Sequence, residues 1–234
     1  MSALVHLRQR SIAIAGRRLV HDVSFSLARG EKLALVGESG SGKTLTALSL
    51  IGLAPPGAEI GGAYEFDGVA SSAAGDAAWR TIRGGRIGFV FQDALVAFNP
   101  VRTIGSLLME SVRRHRGVGR SEANAIALAA LESCGLADAR GVSAAYPHQL
   151  SGGQRQRAMI ALAIINDPAL IIADEPTTAL DPTLARGVLA TLQKRSFGRG
   201  LIVITHDLAS AARVCDRVIV MRAGEIVEEG AAET

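Results

Sequence analysis

Cysteine is nearly missing from this chain. The two it has, Cys134 and Cys215, are too few and too far apart to assemble an iron–sulfur cluster. Aromatic residues make up 4%, and no interleaving of basic and aromatic residues marks a nucleic-acid surface. Lysine occurs three times among 25 lysines and arginines. No apolar run approaches the ~20 residues of a membrane span. The start Met1-Ser2-Ala3-Leu4-Val5-His6 lacks a signal-peptide pattern, so the chain is expected in the cytoplasm with both cysteines reduced. Net charge is only +3, and the pI near 9.2 reflects arginine usage. The densest basic cluster, Arg113-Arg114-His115-Arg116, reads as a solvated helix end favourable to the dipole, with contact to a partner as the alternative.

What the chain does have is 48% apolar residues, ample for one large domain or a core with a subdomain. Lys32-Leu33-Ala34-Leu35-Val36 reads as a buried strand, and Leu45 to Ile51 as a helix with Leu45, Leu48 and Ile51 on one face. Between them lies Gly37-Glu38-Ser39-Gly40-Ser41-Gly42-Lys43-Thr44, the pattern G-x-x-x-x-G-K-[ST]. Glycines let successive N–H groups curl toward phosphate oxygens. Lys43 is expected to reach the β- and γ-phosphates, and the Thr44 hydroxyl to bind Mg²⁺.

Three more strands complete the pattern. Ala169–Ala173 runs into Asp174-Glu175, where Asp174 suits Mg²⁺ and Glu175 suits polarising an attacking water. Leu201–Thr205 ends in His206, whose imidazole can hydrogen-bond a γ-phosphate or orient the water. Ile87–Phe91 is followed by Gln92, a weak signal alone that gains meaning from its place at a strand end. Parallel strands would set all these residues on one edge of a sheet.

These residues resemble the ATP-binding cassette (ABC) ATPases, and the resemblance covers essentially the whole chain. Gly37–Thr44 matches the Walker A loop, Gln92 the Q-loop, Leu150-Ser151-Gly152-Gly153-Gln154 the signature, and Asp174-Glu175 the end of Walker B. Ala179-Leu180-Asp181-Pro182 matches the D-loop, and His206 the switch histidine. The resemblance implies an α/β fold: a P-loop NTPase core with a mostly parallel sheet flanked by helices, an N-terminal antiparallel β subdomain and an inserted helical subdomain. It implies one cassette over residues 1–234, with 1–92 and 167–234 forming the core with its β subdomain and 93–166 the helical subdomain. ATP and Mg²⁺ are implied, the metal facing Thr44, Gln92 and Asp174, with catalysis by Glu175, His206 and Lys43. Two cassettes pair head to tail in this family, so Ser151, Gly152, Gly153, Gln154 and Asp181 would act on the partner's ATP. A helix from about Gln154 to Ile165, opened by Ser151-Gly152-Gly153, would offer N–H groups for that anion.

A narrower resemblance is to the peptide and nickel import group of bacterial ABC transporters, carried by Phe98-Asn99-Pro100, by Tyr146–Arg157 and by Ile172–Asp181. Leu19-Val20-His21-Asp22-Val23-Ser24 looks most like a nickel-import ATPase. The implied partners are a second ABC ATPase, a paralogue sooner than a second copy, two membrane permease subunits and an extracytoplasmic substrate-binding protein. The implied location is peripheral, on the cytoplasmic face of the inner membrane. A soluble ABC ATPase of a non-transport complex, such as carbon–phosphorus lyase, is the rival reading.

Two departures stand out. The stretch that carries an adenine-stacking aromatic in most ABC ATPases is here Ile12-Ala13-Ile14-Ala15-Gly16, leaving Ile14 as an aliphatic contact. The sequence, which stops abruptly at Thr234, also shows no counterpart of the cysteine-rich tail of many dipeptide importers, and whether the natural protein continues past Thr234 is open.

Elsewhere, Leu4 to Phe66 reads as β-rich, Ala54-Pro55-Pro56-Gly57 as a turn and Ala70–Asp76 as a polar loop. Thr103 to Gly141 is helical by periodicity, with one helix opening at Ser121-Glu122 and ending near Gly135. Val218–Met221 and Glu225–Glu228 read as strands split by Arg222-Ala223-Gly224. By resemblance, Gln92 through about Leu108 would dock a membrane subunit; Phe98 and Leu95 are candidates for contact or for core packing.

Overall fold

The computed structural model describes residues 3–70, 76–178 and 180–232. The chain divides into two compact units, residues 1–82 with 198–234, and residues 83–197.

The first unit opens on a long antiparallel hairpin, β1 (Ala3–Ile14) and β2 (Arg17–Ala28). Its turn is Ala15-Gly16, with φ of 50° and 74° at the two residues. Such left-handed turns match the natural twist of paired strands. β4 (Glu59–Phe66) pairs with the other side of β1, and β5 (Val69–Ala70) closes the order β2-β1-β4-β5. A second layer centres on β3 (Lys32–Val36), which lies parallel to both β8 (Gly200–Thr205) and β9 (Arg217–Arg222). β10 (Glu225–Ala231) lies antiparallel on β9. Leu33 to Val36 and the whole of β8 are buried. Parallel strands covered on both faces read as such unbroken apolar runs. The helices of this unit are α1 (Lys43–Ser49), α2 (Asp76–Ile82) and α9 (Leu208–Val214).

α1 presents a different face from the one its leucines suggest. Thr46, Ala47 and Leu50 are buried, whereas Leu45 and Leu48 are half-buried. The Thr46 hydroxyl donates back to the Gly42 carbonyl at 2.9 Å, which satisfies it inside the fold. Of the loop expected at Ala70–Asp76, Ala70 ends β5, Asp76 begins α2, and Ser71 to Gly75 lie outside the described residues.

The second unit pairs β6 (Ile87–Val90) in parallel with β7 (Leu170–Asp174). Between them the chain makes α3 (Ala94–Ala97), α4 (Ile104–Arg116), α5 (Arg120–Ser133), α6 (Ala139–Ala144), a 3₁₀ turn at Pro147–Gln149 and α7 (Gly152–Ile164); α8 (Pro182–Arg195) follows β7. Thr103 caps α4 and Gly117, with φ of 67°, ends it. Ile104, Leu108 and Val112 form its buried stripe, and Ala123, Ala127 and Leu131 that of α5. α7 comes close to β6 because Gly88 has no side chain: a Cβ there would lie 2.0 Å from the Ala163 carbonyl oxygen.

At the basic end of α4, Arg113, Arg114 and Arg116 are exposed and His115 is half-buried. Arg116 also donates to the Ile165 carbonyl at 2.6 Å and ties α4 to the end of α7. Burial, and then the Arg114 charge, lowers the His115 pKa. Both cysteines are buried. Burial, then the nearby Asp216 charge, pushes the Cys215 thiol up to about 12; burial also raises that of Cys134, so both act as small apolar groups. No described helix is long and apolar enough to cross a membrane.

Candidate functional site

In the first unit, Val36 pairs with Thr205 across β3 and β8. The loop Gly37–Gly42 and His206 therefore leave neighbouring parallel strands at the same edge. The loop is shaped by close backbone approaches. A Cβ at Gly37 would lie 2.1 Å from the Met221 carbonyl oxygen, and one at Gly42 would lie 3.2 Å from that of Leu19. Gly40 and Gly42 have φ of 81° and 95°, open to glycine alone without strain. The loop is also strapped: the Gly224 N–H donates to the Ser41 carbonyl at 3.1 Å, and the His21 N–H to the Gly224 carbonyl at 2.8 Å.

Lys43 is 5% exposed, and its ammonium donates to the carbonyls of Gly37 and Glu38 at 2.8 Å each and to the Ser41 hydroxyl at 3.2 Å. Three oxygens thus hold a buried cation at the loop, which a lone buried lysine would not tolerate. Glu38, Ser39, Gly40, Thr44 and His206 are exposed. Ile14 stands half-buried beside the β1–β2 turn, opposite Arg17.

In the second unit, Val90 pairs with Ala173, so Gln92 and Asp174-Glu175 also leave adjacent parallel strands at one edge. Asp174 is 4% exposed. Glu175 has φ of 44°, an uncommon left-handed conformation that costs of order 1–3 kcal/mol. Its Oε2 accepts from the Thr178 hydroxyl at 2.6 Å, and its carbonyl from the Thr178 N–H at 3.2 Å. Thr178 is a positioning partner that the sequence did not single out; the only signal was its three-residue spacing from Glu175.

Ser151 caps α7. Its hydroxyl accepts from the Gln154 N–H at 3.3 Å, while Gln154 Oε1 accepts from the Ser151 N–H at 2.9 Å. Gly152 and Gly153 make room for leucines: Cβ atoms there would meet Leu180 at 3.4 Å and Leu184 at 3.2 Å. Asp181 caps α8, accepting from the N–H groups of Thr183 and Leu184 at 3.0 Å each. Ala179 lies outside the described residues. A cavity of about 490 Å³ in this unit is lined by Gln92, Asp93, Leu95, Gly152, Arg155 and Thr178, among others. It brings the Gln92 loop and the Ser151 helix to one place. Phe98 is 2% exposed and belongs to the core, whereas Leu95 is 42% exposed beside this cavity.

Among the described residues, no group of three or more His, Cys, Asp or Glu could hold a metal. In the first unit Thr44 offers a hydroxyl, and in the second Asp174 and Gln92 offer a carboxylate and an amide oxygen. Oxygen donors of this kind suit Mg²⁺, which keeps waters and shares substrate phosphate oxygens, and suit no soft metal.

A family profile described as ABC transporter matches residues 20–178. A Brucella melitensis protein named as a peptide import ATP-binding protein is 46% identical over 220 residues, which are 90% of this chain and 65% of that protein. The oligopeptide transport ATP-binding protein OppD of Salmonella typhimurium is 42% identical over 215 residues, 91% of this chain and 64% of that protein. The chain thus spans 65% and 64% of the lengths of these two relatives. Among solved structures, the dimeric post-hydrolysis state of the ATP-binding cassette MJ0796, bound to ADP and Pi, matches with a TM-score of 0.86 at 29% identity, over 98% of this chain and 99% of that one. The fold is therefore that of an ATP-binding cassette, and the chain belongs to the ABC transporter family.

Proposed function

We propose that this chain is the ATP-hydrolysing subunit of a peptide importer, working at the cytoplasmic face of the inner membrane. The observation that carries the reading is Lys43, a buried ammonium held by three oxygens in a glycine turn. Lys43 places its charge on the β- and γ-phosphates of ATP, and Glu175 polarises the attacking water. Thr178 fixes the Glu175 carboxylate through their 2.6 Å hydrogen bond, and His206 hydrogen-bonds the γ-phosphate. Thr44, Asp174 and Gln92 would hold Mg²⁺, which would supply charge neutralisation when bound. Ser151, Gly152, Gly153 and Gln154, with Asp181, act on the ATP of a partner cassette. That partner is a paralogue, and two permease subunits and a substrate-binding protein complete the assembly.

For cargo, the names of the relatives favour peptides. The nickel likeness of Leu19–Ser24 falls on a segment with a structural task, since Leu19 and His21 abut Gly224 and the phosphate loop. Uptake of labelled peptide and of nickel, compared with and without the chain, decides the cargo: loss of nickel uptake alone would overturn the peptide reading. The chemistry is tested by Glu175→Gln. Turnover should fall at least about 100-fold while ATP stays bound and a dimer accumulates. Unchanged hydrolysis would remove Glu175 from its role.

A further inference from the structure

A second cavity lies in the first unit, in the antiparallel sheet, and the ATPase chemistry makes no use of it. Its volume is about 490 Å³, within the range of small-molecule sites. Arg10, Tyr64 and Trp79 line it, with Pro55, Ile60 and Gly62 among its other walls.

Arg10 reaches the buried side of β1 by a local irregularity. Leu4, Val5 and Leu7 are buried, Arg8 and Gln9 are exposed, and the buried positions then resume at Arg10 and Ile12. The pairing register shifts between Leu7 and Arg10 against β2, and between Arg8 and Ser11 against β4. Gln9 has φ of 48° at the centre of this bulge. Gly62 of β4 makes space for it, since a Cβ there would lie 2.3 Å from the Gln9 carbonyl oxygen. A bulge of this kind re-aims a side chain, and here it turns an arginine inward.

The inward arginine is 4% exposed and is paired with no acidic group among the described residues. One of its terminal nitrogens donates to the Gly61 carbonyl at 3.3 Å, and its guanidinium lies 5.8 Å from the centre of the Tyr64 ring. Its Nε–H has no hydrogen-bond partner. The Tyr64 hydroxyl, on a side chain 3% exposed, has none either. Burial lowers the Arg10 pKa and raises that of Tyr64, the cost of two polar groups without partners. Native folds rarely leave buried donors unpaired, and such groups call for a partner. Trp79 stacks on Tyr64, with ring centres 6.3 Å apart and planes 5° from parallel. Gly52 seats the indole, because a Cβ there would lie 2.6 Å from the ring.

We propose that this cavity binds a small aromatic carboxylate: Arg10 and Tyr64, whose Nε–H and hydroxyl are sealed from water in this structure, turn toward the anion to pair with it, while its flat ring lies against the Tyr64–Trp79 stack. The site is separate from the phosphate loop and independent of the cargo reading. Trp79 is the one tryptophan in the sequence, so its emission reports directly on the site.

The experiment is a calorimetric titration of the full chain with benzoate and with benzamide, its neutral isostere, with Trp79 emission followed in parallel. Benzoate should bind one to one and change the emission, at least about tenfold tighter than benzamide, or ~1.4 kcal/mol. Arg10→Met should remove that preference, and Tyr64→Phe should weaken benzoate about threefold to tenfold in a protein of unchanged circular dichroism. If Arg10→Met does not fold, Tyr64→Phe carries the test. Lys43→Ala should bind benzoate as the parent does. No benzoate binding, equal affinity for benzamide, unchanged affinity in Tyr64→Phe, or loss of binding in Lys43→Ala would each overturn the proposal.

Discussion

The phosphate loop and the segment at Ser151 are both glycine turns ahead of a helix, yet they are held in opposite ways. The loop is shaped from outside, by the Met221 and Leu19 carbonyls that press on Gly37 and Gly42 and by the Gly224 hydrogen bond to Ser41. The Ser151 segment is held from within, by the reciprocal bonds of Ser151 and Gln154, with leucine side chains lying against its glycines. A turn fixed by foreign backbone has no room for an added atom where that backbone presses. A turn fixed by its own side chains can be altered piecemeal, and its cap can be separated from its chemistry.

The strongest way to break the comparison is Gly37→Ala. Its Cβ would meet backbone at 2.1 Å, and we expect a loss of about 3 kcal/mol in denaturant unfolding together with nucleotide binding. Gly40→Ala is the control, because nothing lies within 4 Å of its Cβ and only the φ of 81° resists. It should cost about 1–2 kcal/mol. Equal losses would show that the foreign backbone does not shape the loop.

A smaller effect sharpens the other half. Ser151→Ala should cost about 1 kcal/mol of stability through the lost cap. Ser151→Asp keeps an efficient cap and adds a negative charge where a partner's phosphate is proposed to sit. Its melting temperature should stay near the parent's while ATP-dependent dimerisation, followed by light scattering, is lost. Dimerisation at parental strength would leave Ser151 with a capping role only.

The smallest effect concerns the base of the nucleotide. With Ile14 in place of a stacking aromatic, ATP and GTP should bind with similar affinity. Ile14→Tyr should tighten ATP about fivefold, ~1 kcal/mol, in equilibrium binding. A strong ATP preference in the parent would show that Ile14 is not the missing contact.

Much of this architecture is legible in the sequence because parallel buried strands are written as plain apolar runs. β3 falls where Lys32–Val36 places it, and β6, β7 and β8 fall within one residue of their expected bounds. The phosphate loop is legible for a related reason: close backbone approach demands glycine at fixed positions. The face of α1 is not legible, since periodicity favours its leucines while the fold buries Thr46 and Ala47. Arg10 is hidden for a deeper reason. Alternation along β1 would put residues 5, 7, 9 and 11 on one side, and only the bulge at Gln9 moves Arg10 into the interior. The Thr178 bond to Glu175 spans only three residues, but the spacing alone does not distinguish it from an ordinary turn; the leucines beneath Gly152 and Gly153 depend on tertiary placement that no local pattern records.

The strap from Gly224 to Ser41 has a consequence for synthesis. The residues that shape the phosphate loop, Met221 and Gly224, stand more than 170 positions after it in the chain. A ribosome that has released everything through Phe197 has exposed the complete Gly37–Thr44 sequence without the strand and hairpin that give it form. ATP affinity in the growing polypeptide is therefore expected to arrive late, with β9 and β10.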